Sequence, residues 1–152
     1  MAKRCLRAGD LERMREAVGR VSNAVDSLLA GRAVVIADES GHAGYLAFAG
    51  SNATARTVAW TVRHGSGFIC APMLPDRARA LDIPLASSTT DGRSWLRYGV
   101  SVDAASGIST GVSSRDRART IAALADPASV ASDFNRPGHV VIEYVVPGGV
   151  LR

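Results

Sequence analysis

The sequence has little of what disulfide-rich, membrane-spanning or nucleic-acid-binding proteins require. Its 152 residues include two cysteines, too few for a disulfide framework, so a reducing cytoplasm is the expected location. No apolar run approaches the roughly 20 residues that cross a bilayer. No apolar segment follows the basic residues near the N-terminus, so no secretory signal is expected. Aromatic residues make up 5% of the chain and do not interleave with the arginines, which disfavours nucleic acid despite the net charge of +4. A small-molecule substrate is the expected partner.

The remaining composition is that of a globular protein, with 47% hydrophobic and 21% charged residues. This length fits one domain over residues 1–152, with residues 1–10 as a mobile basic tail. Hydrophobic spacing and glycine stops predict helices over 11–30, 54–64, 75–80 and 113–125. Apolar or alternating runs predict strands over 32–38, 67–71, 98–104 and 139–146, the first of them buried. Helices and strands intermingle, which indicates a mixed α/β fold, a layered sheet with flanking helices.

Three stretches carry a family resemblance: RHGSGFIC (63–70), STGVSSRDRARTI (109–121) and NRPGHV (135–140). In order and spacing they resemble the 3,4-dihydroxy-2-butanone 4-phosphate synthase family of riboflavin biosynthesis. The resemblance implies a homodimer with active sites at the subunit interface. It also implies the conversion of ribulose 5-phosphate to 3,4-dihydroxy-2-butanone 4-phosphate and formate, with magnesium as the cofactor.

The sequence departs from this family in two places. The family signature after the first strand is Arg-Glu-Asn-Glu-Gly-Asp, whereas here Asp38 and Glu39 are followed by SGHAGY, which ends at Tyr45, with Ala47 beyond it. The printed sequence also ends at GGVLR, where the family continues through Gly-His-Thr-Glu-Ala. Because magnesium prefers carboxylate oxygens, we expect that the chain holds no metal and needs no cofactor.

Three residues are catalytic candidates. His139 matches a histidine that the family keeps in its pocket, and a neutral imidazole can carry protons at physiological pH; alternatively it only hydrogen-bonds within a turn. His42 is new in the shortened loop, where a histidine could carry protons or simply be solvated. Cys70 matches a cysteine near the family's pocket, but its apolar strand also fits a buried structural thiol.

Further residues are expected to bind substrate. Thr110 and Ser113 stand before a predicted helix start, which suits an anion, although Ser113 can also serve only as the helix cap. The resemblance places Trp95 in a region that closes over substrate, and Arg152 one position from a phosphate-contacting arginine. The full predicted substrate-binding set is Thr110, Ser113, Arg136, Asp38, Ser66 and Trp95.

Three functions remain open at this point. The main hypothesis is a divergent enzyme that performs metal-independent acid–base chemistry, such as isomerisation, dehydration or cyclisation, in a specialised biosynthetic pathway. The first alternative is synthase activity retained in weak form, with a partner chain supplying the missing acids. The second alternative is a non-catalytic dimeric binding or regulatory relative.

Overall fold

The computed structural model describes residues 8–37, 44–86 and 97–145. By its internal contacts the chain divides into two compact units, Met1–Ala49 and Gly50–Arg152. None of the helices in these described ranges is both long and apolar enough to span a bilayer.

The first unit begins with helix α1, Ala8–Leu29. Asp10 lies in its first turn, where a negative charge interacts favourably with the helix dipole. The helix ends before Gly31, which adopts a φ of 74° and donates its N–H to the carbonyl of Leu28. Because α1 begins at Ala8, it includes the last three residues of the tail that was predicted over 1–10.

A short hairpin completes this unit. Strand β1, Val34–Ala37, pairs antiparallel with strand β2, Gly44–Ala47. The prediction that the first strand is buried is wrong, because Val35 is 73% exposed. β1 has β2 as its only strand partner within the described ranges, and no described residue of this unit is buried.

The second unit contains three helices: α2, Ala55–His64; α3, Pro75–Ala80; and α4, Ser114–Ala125. Each begins with a recognisable sequence signal. The Thr54 side chain accepts the N–H of Thr57, Pro75 is the first residue of α3, and the Ser113 side chain accepts the N–H of Asp116. The predicted helix starts at these positions are confirmed.

Strand β6, Phe134–Tyr144, organises the sheet of this unit. It pairs parallel with β3, Cys70–Met73, and antiparallel with β4, Arg97–Tyr98, and β5, Val102–Ala104. The register between β5 and β6 shifts between Val102 and Asp103, as in a β-bulge. The mixed α/β fold is confirmed, with helices packed against a sheet.

Helix α4 connects the sheet to α2, since it contacts α2 as well as β5 and β6. The fully buried Thr120 fixes α4 to β5: its hydroxyl accepts the N–H of Ala104 and donates to the carbonyl of Asp116. The largest fully buried side chains of this unit are Leu81, Ile83, Ile142, Val58, Val102 and Val140.

Candidate active site

The strand pair β5 and β6 brings together Asp103 and His139. The Nδ1 atom of His139 lies 2.7 Å from Oδ2 of Asp103, and the main-chain N–H of His139 donates to Oδ1 at 3.0 Å. The side chain of Asp103 is 10% exposed, whereas that of His139 is 44% exposed. The pair therefore has a buried carboxylate and an imidazole that reaches solvent.

Two glycines let the backbone approach this pair closely. A Cβ on Gly138 would lie 2.0 Å from the carbonyl carbon of Val102, so only glycine fits where β6 crosses the bulge in β5. A Cβ on Gly111 would lie 2.1 Å from Oδ2 of Asp103 and 2.7 Å from Nδ1 of His139. Gly111 also has a φ of 80°, which favours glycine. The geometry thus needs glycine at both positions.

The pair is suited to proton transfer. Within the described ranges, Nδ1 is the ring nitrogen of His139 that has a hydrogen-bond partner, and no described residue forms a hydrogen bond with Nε2. An imidazole held at one nitrogen and open at the other can take up or release a proton at the open side.

The start of α4 differs from the anion cradle predicted from sequence. The carboxylate of Asp116 accepts hydrogen bonds from the Ser109 hydroxyl at 2.8 Å and from the Gly111 N–H at 3.2 Å. These hydrogen bonds, that of Ser109 above all, hold the pKa of Asp116 below its ordinary value. Part of the donor set expected to bind an external anion is therefore occupied by a side chain of the protein itself.

The other predicted substrate-binding residues in the described ranges have different surroundings. Thr110 is exposed beside Gly111, and Ser113 is engaged in capping α4. The guanidinium of Arg136 donates to the carbonyls of Leu81, Ala131 and Phe134, so it fixes loops rather than facing an open pocket. The hydroxyl of Ser66 accepts the N–H of Phe68 at 3.4 Å, in the turn after α2.

Cys70 does not have the surroundings of a nucleophile. Burial, together with the nearby charge of Glu143, raises the pKa of its thiol to about 11. A nucleophilic cysteine needs the opposite shift, because the thiolate is the reactive form. The structure therefore favours the structural interpretation of Cys70 over the catalytic one.

Three of the predicted site residues, Asp38, His42 and Trp95, lie outside the described residues, as does Arg152. They stay predictions.

The residues in the described ranges do not form a magnesium site. No group of three or more His, Cys, Asp or Glu side chains within those ranges could hold a metal ion. Asp103 and Asp116 use their oxygens to accept hydrogen bonds.

Comparison with known proteins decides the family. The family model described as 3,4-dihydroxy-2-butanone 4-phosphate synthase matches residues 22–152. This chain belongs to that synthase family. It is 45% identical over 136 residues to the riboflavin biosynthesis protein RibBA of Salinispora arenicola, a match that covers 88% of this chain and 32% of that protein.

Two solved structures of the synthase agree with this assignment. One, a 3,4-dihydroxy-2-butanone 4-phosphate synthase in complex with two magnesium ions, has a TM-score of 0.81 and 38% identity; the match covers 86% of this chain and 62% of that one. The synthase of Candida albicans has a TM-score of 0.74 and 31% identity, with 84% and 63% covered. The chain thus spans about a third of the bacterial RibBA protein and about three-fifths of these synthases.

These relatives correct two expectations. The hypothesis of metal-independent chemistry in a specialised pathway is wrong, because proteins 39–45% identical over most of the chain are named for riboflavin biosynthesis. The expectation of no metal cofactor is wrong as well, because a synthase 38% identical to this chain binds two magnesium ions. The two segments that depart from the family are short, whereas the similarity extends over 136 residues.

Sequence reasoning missed Asp103. It is the only acidic residue in the predicted strand over 98–104, and a lone carboxylate in an otherwise apolar and small-residue strand was a signal that it needed a partner. Asp116 is a second acidic residue of this region that is buried.

Proposed function

We propose that this chain performs the 3,4-dihydroxy-2-butanone 4-phosphate synthase reaction, a lyase reaction that converts ribulose 5-phosphate to the butanone phosphate and formate with magnesium. The observation that carries the proposal is the 45% identity to a riboflavin biosynthesis protein over 88% of the chain. The open imidazole of His139 beside a buried carboxylate supports it, because the reaction begins with proton removal next to a carbonyl.

In the proposed first step, Nε2 of His139 removes a proton from the carbon adjacent to the ketone of the substrate. The electron pair of the broken C–H bond forms the carbon–carbon double bond of an enediolate, and the carbonyl oxygen takes up the displaced pair as negative charge. The resulting imidazolium can return the proton at a later step. The exposed hydroxyl of Thr110 is our candidate for contacting the substrate beside this imidazole.

Asp38, His42 and Trp95 keep their predicted roles in this proposal. Asp38 is proposed to contact substrate hydroxyls, and its carboxylate and that of Glu39 are the acidic groups that follow β1 in the sequence. Magnesium would supply charge stabilisation of the enediolate when bound.

The test is direct. Purified protein is incubated with ribulose 5-phosphate, with and without magnesium, and formate release is followed together with formation of the four-carbon product. We expect turnover that needs magnesium and that His139→Gln abolishes, while circular dichroism shows both proteins to be folded. Absence of formate from folded wild-type protein at saturating substrate and magnesium would contradict the proposal.

We also propose that the active form is a homodimer located in the cytoplasm. The family resemblance supports the dimer, and the scarcity of cysteine is compatible with a reducing compartment. Light scattering after size-exclusion chromatography should give twice the mass of 15.9 kDa. A single-chain mass at all concentrations would contradict the dimer.

A further inference from the structure

We propose that α1 is a self-association surface, through which two copies of this chain pair as parallel helices. The proposal concerns this helix and not the candidate active site. It does not rest on the proposed function, because the pairing of two helices can be measured without any turnover.

Six apolar side chains of α1 repeat with the spacing of a coiled coil. Their separations alternate between three and four residues, so they form one narrow stripe along the helix. A helix that packs onto a globular core has a broader apolar face, whereas a strict period of 3.5 residues is typical of contact with one other helix. We name this stripe the α1 seam, and it consists of Leu11, Met14, Val18, Val21, Val25 and Leu28.

Most of the α1 seam is open to solvent. Val18 and Val21 are 64% and 63% exposed, and every residue from Leu11 to Asn23 is exposed. The helix also has low intrinsic stability in this region, because Gly19 and the β-branched valines are poor helix formers. Since most helical stability in proteins comes from packing of an apolar face, a partner on the α1 seam supplies what the local sequence lacks.

The charges of α1 favour a protein partner over a membrane surface. Helices that lie on membranes typically carry mainly lysine and arginine on their polar face. The polar residues of α1 carry both signs in nearly equal number, and two ion pairs form within the helix, Arg13 with Asp10 and Arg20 with Glu16. The charged residues are Asp10, Glu12, Arg13, Arg15, Glu16, Arg20 and Asp26.

The residues beside the α1 seam fit a second copy in parallel orientation. In a parallel pair, each residue on one flank faces the residue five positions further along the partner helix. This places Asp10 beside Arg15 of the second copy, twice by symmetry, and Ala24 beside Leu29 of the second copy. Asp10 can contact Arg13 and this second guanidinium together, because a carboxylate has two accepting oxygens. In an antiparallel pair Arg15 would instead lie beside Leu29, with no opposite charge facing it.

The test is disulfide cross-linking of the full chain, with Cys5 and Cys70 replaced by serine. Val21→Cys places one thiol in the α1 seam, at an exposed position where the change does not disturb packing. In a parallel pair this thiol faces its copy, within reach of a disulfide. Asn23→Cys is the matched control, because it is exposed on the same helix but lies on the side away from the α1 seam. Under mild oxidation with copper phenanthroline, we expect Val21→Cys to form a covalent dimer about tenfold faster or more than Asn23→Cys.

The orientation is tested by mixing two variants. Val18→Cys and Val21→Cys chains, one of them isotope-labelled, are oxidised together, and the covalent dimers are separated by mass. In a parallel pair each thiol faces the same position of its copy, so covalent dimers of like chains should predominate. In an antiparallel pair position 18 faces position 21, and unlike chains would be joined. A majority of unlike dimers would overturn the parallel arrangement.

The proposed ion pair between the copies is tested with Arg15→Glu. This change puts two acidic groups together and should slow the cross-linking of Val21→Cys by about threefold or more at low ionic strength, and by less in high salt. Arg20→Glu makes the same change of charge on the outer side of the helix and should slow it less. Equal rates in the two variants would contradict the pairing of Asp10 with Arg15.

Equal cross-linking at positions 21 and 23 would overturn the proposal as a whole. This holds even if light scattering gives the mass of a dimer, because the two chains then meet at another surface. If position 21 cross-links selectively but the wild-type protein releases no formate, α1 is still the contact between copies and the proposed function is what fails.

Discussion

At the scale of single residues, the pKa of the Cys70 thiol distinguishes a structural role from a catalytic one. With its pKa raised to about 11, the thiol is about one part in a thousand thiolate at pH 8. Cys5, the other cysteine of the chain, is first replaced by serine so that only Cys70 can react. We then expect Cys70 to react with iodoacetamide at least a hundred times more slowly than free cysteine, as measured by mass spectrometry. The variant Cys70→Ser should keep kcat within about tenfold of the wild type. Rapid alkylation at pH 8, or a loss of activity as severe as in His139→Gln, would restore the nucleophile hypothesis.

The pKa of Asp116 is shifted downwards, in the opposite direction to that of Cys70. The direction of this shift predicts how the stability of the protein depends on pH. The folded state holds the pKa of Asp116 below its ordinary value of 3.8. The contribution of the ionised carboxylate to stability is therefore fully present above about pH 4. That contribution is lost as pH falls through the lowered pKa of the folded state. We expect Asp116→Asn to lower the melting temperature at pH 7 and the difference from wild type to narrow at pH 3.

The control for this series is Asp133→Asn, whose carboxylate accepts the exposed main-chain N–H of Val130. Its difference from wild type at pH 7 should be the smaller of the two. If Asp116→Asn and the wild type have the same melting temperature at pH 7, the hydrogen bonds from Ser109 and Gly111 do not stabilise the start of α4.

At the scale of elements, the crossing of β5 and β6 sets the geometry of the site. A methyl group on Gly138 would lie 2.0 Å from the carbonyl carbon of Val102 and 2.2 Å from the N of Asp103, and neither strand can yield without losing its pairing. Gly138→Ala should therefore cost about 1–3 kcal/mol or more of unfolding free energy. It should also weaken activity by moving His139 away from Asp103.

Gly19→Ala is the matched control in urea unfolding, because a Cβ at Gly19 has no atom within 4 Å. Alanine is the better helix former, so this change in α1 should be neutral or slightly stabilising. Equal midpoints for Gly138→Ala and wild type would mean that β5 and β6 do not approach as closely as described.

The helices and strands also show which parts of the structure can be predicted from the sequence. Local signals predict the helices well, since Thr54, Pro75 and Ser113 each begin one. The site could be predicted only in part. Asp103 and His139 are 36 residues apart, and their contact depends on a register shift between β5 and β6 that no local pattern specifies. The exposure of β1 was missed for a related reason: an apolar run indicates a strand, but not what covers it.

At the scale of the whole molecule, burial is unevenly distributed. Every buried residue in the described ranges lies in the unit Gly50–Arg152. In the unit Met1–Ala49, one face of α1 presents a row of exposed apolar side chains: Leu11, Met14, Val18, Val21, Val25 and Leu29. Since buried apolar area is the main source of stability, the free energy of unfolding should come chiefly from the unit that carries the candidate site.

Two isoleucines, one in a strand of each unit, allow the contributions of the two units to the free energy of unfolding to be compared with the same substitution. Ile142 in β6 is fully buried, whereas Ile36 in β1 is 55% exposed. Ile142→Ala removes buried methyl groups and leaves a cavity, so it should cost about 2–5 kcal/mol. Ile36→Ala should cost less than about 1 kcal/mol, because its side chain is largely in contact with water already. Urea unfolding of both variants checks the difference, and hydrogen exchange should be slowest in β6 and α4 and fast in β1 and β2. Equal costs at the two positions would mean that β1 is covered in solution, and the unit Met1–Ala49 would then contribute to the stability of the fold as much as the sheet around β6.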